Sequence, residues 1–194
     1  IIKNPFIGLG FFVNQPNSLI RRYDINPKIY PQNIVGEVHA DGEIIAGAWW
    51  DYAINLSATM PLTNAVDTMS KLFAASNFGL ATGPDGAEGQ VYYDILIDAL
   101  TYDDDNANLN DGTPHFTQIV EAFAAHGIYL LMNSDLAHAA PGVVNGGTPI
   151  TLSADAIADF PVFLGNVKMF YRLKGAGGLD SLTMTKSGTN YTAV

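Results

Sequence analysis

The chain has 194 residues, enough for one well-packed core or for one core with a small accessory module. Hydrophobic residues make up 48% of it and charged residues only 14%, which excludes an intrinsically disordered protein. The formal net charge of −10 argues against nucleic acid and anionic membranes as partners, and the absence of cysteine excludes a disulfide framework and a thiolate metal site.

No apolar stretch is long enough to cross a bilayer, so we expect no membrane span. A low lysine content, with abundant glycine, asparagine, threonine and aspartate, favours a secreted, extracellular or cell-surface protein. The first residue is not methionine, and we expect the chain to be an internal fragment of a longer secreted protein.

Hydrophobic periodicity predicts four helices after an irregular, proline-rich segment at the start of the chain. The first helix is expected to begin at Asp41 or Gly42, and a turn at residues 84–86 should precede the third. Thr113 as N-cap and Pro114 at the first helical position predict the start of the fourth. In chain order the predicted helices reach about residues 57, 75, 100 and 126.

The sequence changes character after Pro141, where residues 142–149 have the composition of a linker. Short alternating segments separated by glycine turns follow, which predicts the first strands of a β-sandwich. These segments cover residues 150–154, 167–172, 182–185 and 191–194. We therefore predict a mainly α domain over residues 1–141, followed by a linker and a few strands of an incomplete β-sandwich over residues 142–194.

Residues 37–43 (Glu-Val-His-Ala-Asp-Gly-Glu) place a histidine and three carboxylates at the mouth of the first predicted helix. Free backbone N–H groups and the positive end of the helix dipole meet there. An imidazole in that position is suited to donating a hydrogen bond to an anion, so His39 is a candidate for stabilising an oxyanion. The alternative is a histidine that only caps the helix and pairs with a neighbouring carboxylate.

Five blocks in the first two thirds of the chain resemble the C-terminal helical half of zinc metalloendopeptidases. The similarity is greatest to the fungalysin branch and its bacterial relatives, and more distant to thermolysin-like enzymes, and it covers about residues 15–131. The blocks are residues 22–27 (Arg-Tyr-Asp-Ile-Asn-Pro), 37–44 (Glu-Val-His-Ala-Asp-Gly-Glu-Ile), 48–51 (Ala-Trp-Trp-Asp), 108–116 (Asn-Leu-Asn-Asp-Gly-Thr-Pro-His-Phe) and 122–127 (Ala-Phe-Ala-Ala-His-Gly).

The resemblance implies roles for residues that match its motifs. His39 stands where the family has the histidine that donates to the oxyanion of the tetrahedral intermediate, and Arg22 matches an arginine that grips the substrate carbonyl or orients the site. Arg21 and Glu37 are implied in substrate binding. The thermolysin-like aspartate that orients the histidine ring is replaced here by Ile34, so Glu37, Asp41 or a residue elsewhere must take that role.

The family's zinc motif, H-E-x-x-H, does not occur in this sequence, and none of the four histidines lies four residues from another. The resemblance places the zinc helix and the third, glutamate ligand before Ile1. It therefore implies that zinc is held by an upstream part of the same parent protein, that the substrate is a peptide or protein, and that this chain alone is inactive.

An acidic loop between the third and fourth predicted helices is a second candidate site. Oxygen-bearing side chains alternate there before Gly112, as in loops that wrap calcium, but the glycine and glutamate of the full calcium-loop pattern are missing. The alternative is a solvated turn whose side chains cap neighbouring helices. The candidate calcium ligands are Asp103, Asp104, Asp105, Asn106, Asn108 and Asp111.

Three functions are open at this stage. The favoured one is the C-terminal part of a secreted zinc endopeptidase. The second is a non-catalytic surface or structural protein built on a degenerate peptidase scaffold, and the third is a calcium-dependent carbohydrate-binding or surface-binding module. Two other histidines, His115 and His126, are predicted to be structural, the second because a cation is favoured in the last turn of a helix.

Overall fold

A computed structural model of the protein describes residues 4–77 and 88–194. The chain forms two compact units, the first made of Ile1–Leu109 and Thr113–Leu130, the second of Leu131–Val194 with Asn110–Gly112. The α-helices in the described residues all belong to the first unit, and most of the strands belong to the second. The fold is therefore a mixed α and β fold. The predicted helices and C-terminal strands are both present, but the protein as a whole is not clearly mainly α.

Four α-helices occur in the described residues: α1 (Val38–Leu56), α2 (Leu62–Ser76), α3 (Glu88–Asp103) and α4 (Phe116–Ala125). A short 3₁₀ turn, Leu109–Asp111, lies between the last two. All four predicted helices are present, but the first begins earlier than expected and the fourth begins later. The predicted turn at residues 84–86 lies outside the described residues.

The start of α4 differs from the prediction for a specific reason. Thr113 does not cap this helix, because its hydroxyl donates to the carboxylate of Asp103, 2.7 Å away. The N-cap position is held instead by His115, whose side chain makes no capping hydrogen bond. The helix consequently begins at Phe116, after Pro114 rather than at it.

The core of the first unit is apolar and is centred on the aromatic side chains of α1. The ring of Trp49 packs edge-on against Tyr52, Phe73 and Phe123, with ring centroids 6.1, 5.6 and 5.3 Å away. Buried side chains from α1, α2, α3 and α4 complete it, and each large aliphatic or phenylalanine side chain among them contributes about 1.5–3 kcal/mol. Because this packing buries one face of α1, it determines which face of the helix remains available for polar contacts.

The first 36 residues were predicted to be irregular, but they contain a short antiparallel pair. Strands β1 (Phe6–Ile7) and β2 (Arg21–Arg22) pair with Phe6 opposite Arg22 and Ile7 opposite Arg21. The chain then passes over the helices, where the ring of Tyr30 packs edge-on against Tyr92 of α3. Arg21 and Arg22, two of the predicted site residues, therefore lie on the paired strand β2.

The strands of the second unit in the described residues are β3 (Ser134–His138), β4 (Leu152–Ala158), β5 (Lys168–Tyr171), β6 (Asp180–Thr183), β7 (Thr185–Ser187) and β8 (Asn190–Ala193). Four of them form an antiparallel sheet in the order β3-β4-β8-β7, and β5 and β6 form a separate two-stranded ribbon. Strand β3 begins before the expected boundary at residue 141, and it pairs with β4 along its whole length, from Ser134 opposite Ala158 to His138 opposite Ala154. The boundary between units accordingly falls after Leu130.

The ribbon packs on one face of the four-stranded sheet through a small apolar cluster. Ala154, Met184 and Tyr191 are buried there, and Val167 and Met169 are half-buried against them. An apolar groove of about 290 Å³ remains open between the two layers. In the part of the chain that the structure describes, no helix has the length and apolar character that a membrane span requires.

Candidate functional site

One face of α1 carries polar contacts to neighbouring segments of the first unit. His39, Glu43, Gly47 and Asp51 are spaced four residues apart, so they follow one another along the same side of the helix, about 6 Å per step. His39 and Glu43 each contact partners of their own, whereas Gly47 and Asp51 both contact His126. We call this row of four residues the α1 strip.

The first member of the strip, His39, is held by the residue that caps the helix. Both carboxylate oxygens of Glu37 accept backbone N–H groups, from His39 at 3.2 Å and from Ala40 at 2.8 Å. The same carboxylate lies 2.7 Å from Nδ1 of the His39 ring. The side-chain hydrogen bond to His39, followed by the two backbone bonds, lowers the pKa of Glu37 to about 2. The carboxylate therefore stays ionised and keeps the ring in one orientation.

His39 itself faces water, with 70% of its side chain exposed. Because Nδ1 is taken by Glu37, Nε2 is the ring nitrogen available to a ligand. An exposed imidazole fixed by a carboxylate at a helix N-terminus fits an anion-facing donor. The same contacts also fit a residue that only caps the helix.

Asp41 was an alternative orienting group for His39, but its carboxylate is used elsewhere. It is buried and accepts the backbone N–H groups of Val35 and Gly36, both at 2.9 Å. Those bonds turn the chain into α1 and satisfy donors that would otherwise be orphaned. Of the two carboxylates weighed from the sequence, Glu37 is the one that contacts the His39 ring.

The second member of the strip, Glu43, forms ion pairs with two cationic side chains of the segment that precedes α1. Its Oε1 lies 3.4 Å from Nε of Arg21 and 3.5 Å from Nζ of Lys28. Arg21 is therefore tied to α1, one helical turn along from His39. A strand residue and a loop residue are thus fixed to the same carboxylate.

Arg22, the predicted catalytic arginine, pairs with Asp24. Its Nη2 donates to Asp24 Oδ2 at 2.9 Å and its Nε donates to Oδ1, a bidentate arrangement. This contact raises the pKa of Arg22 and lowers the pKa of Asp24. The guanidinium is 43% exposed and borders a small recess that also contains Glu43 and His126.

The last two members of the strip, Gly47 and Asp51, contact His126, which sequence reasoning assigned only a structural role. The ring is fully buried, with Nδ1 2.7 Å from the carbonyl oxygen of Lys28 and Nε2 3.1 Å from Oδ2 of Asp51. A Cβ at position 47 would lie 2.3 Å from the ring. The spacing of Gly47 and Asp51, one turn apart on α1, was the only available sequence signal for this contact.

The acidic loop is organised by Asp103, whose side chain is almost fully buried. Its carboxylate accepts the Thr113 hydroxyl and the His115 backbone N–H, both at 2.7 Å, and lies 2.6 Å from Nδ1 of the His115 ring. These contacts join the end of α3 to the start of α4. His115 is therefore structural, as predicted, and Asp103 fastens the two helices together.

The remaining acidic residues of the loop do not converge on a common point. Oδ2 of Asp104 accepts the backbone N–H groups of Asn106 and Asn108, at 3.2 and 2.8 Å. Its Oδ1 is buried and has no hydrogen-bond partner within residues 4–77 and 88–194. Asp105 is exposed. Among the residues described, no group of three or more His, Asp or Glu side chains is placed to hold a metal ion. Calcium binding at this loop stays a prediction.

Comparison of the chain with protein-family models, with curated proteins and with solved structures finds no match. The resemblance to zinc endopeptidases accordingly rests on the five sequence blocks.

Proposed function

We propose that this chain is the C-terminal portion of a secreted zinc-dependent endopeptidase, in which His39 stabilises the oxyanion formed during peptide-bond hydrolysis. The observation that carries the proposal is the exposed His39 ring held through Nδ1 by the ionised Glu37 carboxylate. In the proposed enzyme the first unit is the helical part of the peptidase domain, and the second unit is the beginning of a β-sandwich accessory domain.

The proposed oxyanion stabilisation depends on the two ring nitrogens of His39. Glu37 accepts from Nδ1–H, so in its protonated form the ring donates from Nε2–H toward a ligand. Negative charge develops on the carbonyl oxygen of the scissile bond, and a fixed donor at a helix N-terminus stabilises that charge without having to reorganise. Glu37 would hold the ring orientation and compensate its positive charge.

Substrate positioning falls to the two arginines in this proposal. Arg22 is the more exposed and borders the recess beside α1, whereas Arg21 is anchored to Glu43. A guanidinium presents several N–H donors in a fixed plane, which suits it to gripping a peptide carbonyl. Asp24 holds the Arg22 plane through its bidentate contact.

Zinc would be bound by residues of the parent protein outside this chain, since the sequence contains no H-E-x-x-H. When bound, the metal supplies a polarised carbonyl and an activated water. Residues of this chain would contribute donation to the oxyanion, orientation of the substrate and one wall of the cleft.

The test begins with the coding sequence immediately before Ile1. An in-frame H-E-x-x-H followed by a helix that carries a glutamate is the expected result. In the enzyme so defined, His39→Ala should lower kcat by about 10²–10³ with zinc content unchanged. His138→Ala, which removes a histidine whose Nδ1 only contacts the Ser153 carbonyl in the second unit, is the matched control.

An upstream segment whose metal ligands are replaced would favour the alternative, a degenerate peptidase scaffold that acts by binding or assembly. In that case His39→Ala leaves no activity to lose, and its effect is confined to helix capping.

A further inference from the structure

We infer that His126 is a positioning residue, held as a doubly protonated imidazolium that fastens the segment from Arg21 to Tyr30 against α1. The link to substrate positioning rests on the proposed function, because that segment carries the two arginines. The charge state and the fastening are properties of this chain alone.

The charge state follows from the partners of the two ring nitrogens. Nδ1 faces the carbonyl oxygen of Lys28 at 2.7 Å, and Nε2 faces Oδ2 of Asp51 at 3.1 Å. A carbonyl oxygen cannot donate, and a carboxylate oxygen accepts. The Asp51 side chain is 34% exposed. A neutral imidazole has one N–H and can satisfy only one of these acceptors. The ring that satisfies both carries two protons and a positive charge.

The His126 ring cannot turn away from its two acceptors. Its side chain is 1% exposed, and the backbone of Gly47 lies so close to Cε1 that a methyl group would not fit between them. Water therefore cannot easily replace either acceptor. The position of the ring selects the protonated form.

Charged and titratable groups from several segments lie around the ring. Arg22, Tyr23, Lys28 and Glu43 line the recess with it, and Asp51 reaches it from α1. Lys28 is paired with Glu43, and Arg22 is paired with Asp24 outside the recess. Asp51 is thus the carboxylate in hydrogen-bond contact with the imidazolium.

His126 binds the loop that contains Lys28 and Tyr30 through both its side chain and its backbone. His126 donates from Nδ1 to the Lys28 carbonyl, and its own carbonyl accepts the backbone N–H of Tyr30 at 2.9 Å. Glu43 holds Arg21 and the Lys28 side chain on the same face of α1. If the ring loses one proton, a lone pair faces either Lys28 or Asp51, and one of these bonds is replaced by repulsion.

The experiment is nitrogen-15 NMR of the imidazole rings in the 194-residue chain at neutral pH. Both ring nitrogens of His126 should show directly bonded protons, and those protons should exchange slowly because the ring is buried. A His126 ring with one protonated nitrogen would overturn the charge assignment. No peptidase activity is needed, so this failure is distinct from failure of the proposed function.

Amide hydrogen exchange in a His126→Gln variant tests the fastening. A glutamine side chain has no donor in the place of Nδ1, so the hydrogen bond to the Lys28 carbonyl is lost. Exchange at the Tyr30 amide should rise about two- to tenfold at constant pH, the equivalent of one lost hydrogen bond. The Gly36 amide, which Asp41 holds, should be unchanged. Equal exchange at Tyr30 in both proteins would overturn the positioning role.

Discussion

Gly47 and His126 are in direct contact, and a side chain at position 47 would occupy the space of the imidazole ring: an added Cβ would lie 2.3 Å from its Cε1 and 3.0 Å from both nitrogens. Gly47 lies within a helix, where glycine is otherwise unfavourable by about 0.5–1 kcal/mol relative to alanine. Its presence is therefore explained by the close approach of the histidine, and not by the needs of the helix.

Gly47→Ala should lower the free energy of unfolding by about 1–3 kcal/mol, because the ring must move and lose its bonds to Lys28 and Asp51. Urea denaturation followed by circular dichroism measures this. Gly42→Ala is the matched control, since it lies in the same helix and an added Cβ meets nothing within 4 Å. That change should stabilise the protein by about 0.5–1 kcal/mol. Equal effects of the two substitutions would refute the contact.

Two buried tyrosines should respond in opposite ways to removal of the hydroxyl. Tyr92 donates to the backbone carbonyl of Asp41 at 2.8 Å, so Tyr92→Phe should cost about 1–3 kcal/mol. The Tyr52 hydroxyl is buried and has no hydrogen-bond partner among the residues that the structure describes, so Tyr52→Phe should be neutral or stabilising. Thermal denaturation of both variants tests the contrast, and a large loss on Tyr52→Phe would reveal a partner.

Burial, followed by the charges of Asp41 and Glu88, raises the pKa of Tyr92 to about 12. Since its ordinary pKa is 10.0, its contribution to stability is complete below pH 10 and is lost as the pH rises toward 12. The difference in stability between wild type and Tyr92→Phe should therefore shrink over that interval. A difference that is constant with pH would contradict the shift.

Glu37 should make the first helix sensitive to acid. Its folded pKa of about 2 lies below the ordinary value of 4.5, so its contribution is complete above pH 4.5 and disappears as the pH falls toward 2. Glu37→Gln should destabilise the protein at neutral pH and match wild type near pH 2, as measured by urea denaturation at a series of pH values. Glu121→Gln, at an exposed position of α4, is the control and should show no such convergence.

Asp103 should be the most important side chain of the acidic loop for stability. Asp103→Asn removes the negative charge of the group that accepts hydrogen bonds from Thr113 and His115. It also places the N–H donors of the asparagine amide next to the donors of those two residues. The expected cost is about 1.5–3 kcal/mol by urea denaturation. Asp105→Asn, at an exposed position two residues along, should change stability by less than about 0.5 kcal/mol. Comparable losses would show that the net charge of the loop matters more than the Asp103 contacts.

Calcium binding is predicted by the alternating oxygen donors of the loop, and Asp104 carries the one buried carboxylate oxygen there without a hydrogen-bond partner in the described residues. Calcium at about 1 mM, the range of extracellular calcium modules, should raise the Tm of wild type. Asp104→Asn keeps an oxygen for the Asn106 and Asn108 amides but should abolish the rise. If calcium does not change the Tm, the calcium prediction is wrong and the loop is a hydrogen-bonded turn.

The sequence by itself determined the parts of this protein that depend on neighbours along the chain. Helical periodicity located α1 to α4 to within a few residues, and the alternation of apolar residues located β4, β5, β6 and β8. The cluster at residues 37–43 also identified His39 and Glu37 together, because a helix N-terminus brings residues two and three apart into contact.

Tertiary structure alone decided the contacts between distant segments. Strand β3 has every side chain exposed, so no alternating burial pattern marked it, and its pairing with β4 set the boundary between the two units. Thr113 had the sequence of an N-cap, but the Asp103 carboxylate competed for its hydroxyl. His126 is separated by 75 residues from Asp51 and by 98 from Lys28, and local patterns carry no information about partners at such distances. The charge and role of that histidine are fixed by which acceptors the packed helices bring to its two nitrogens.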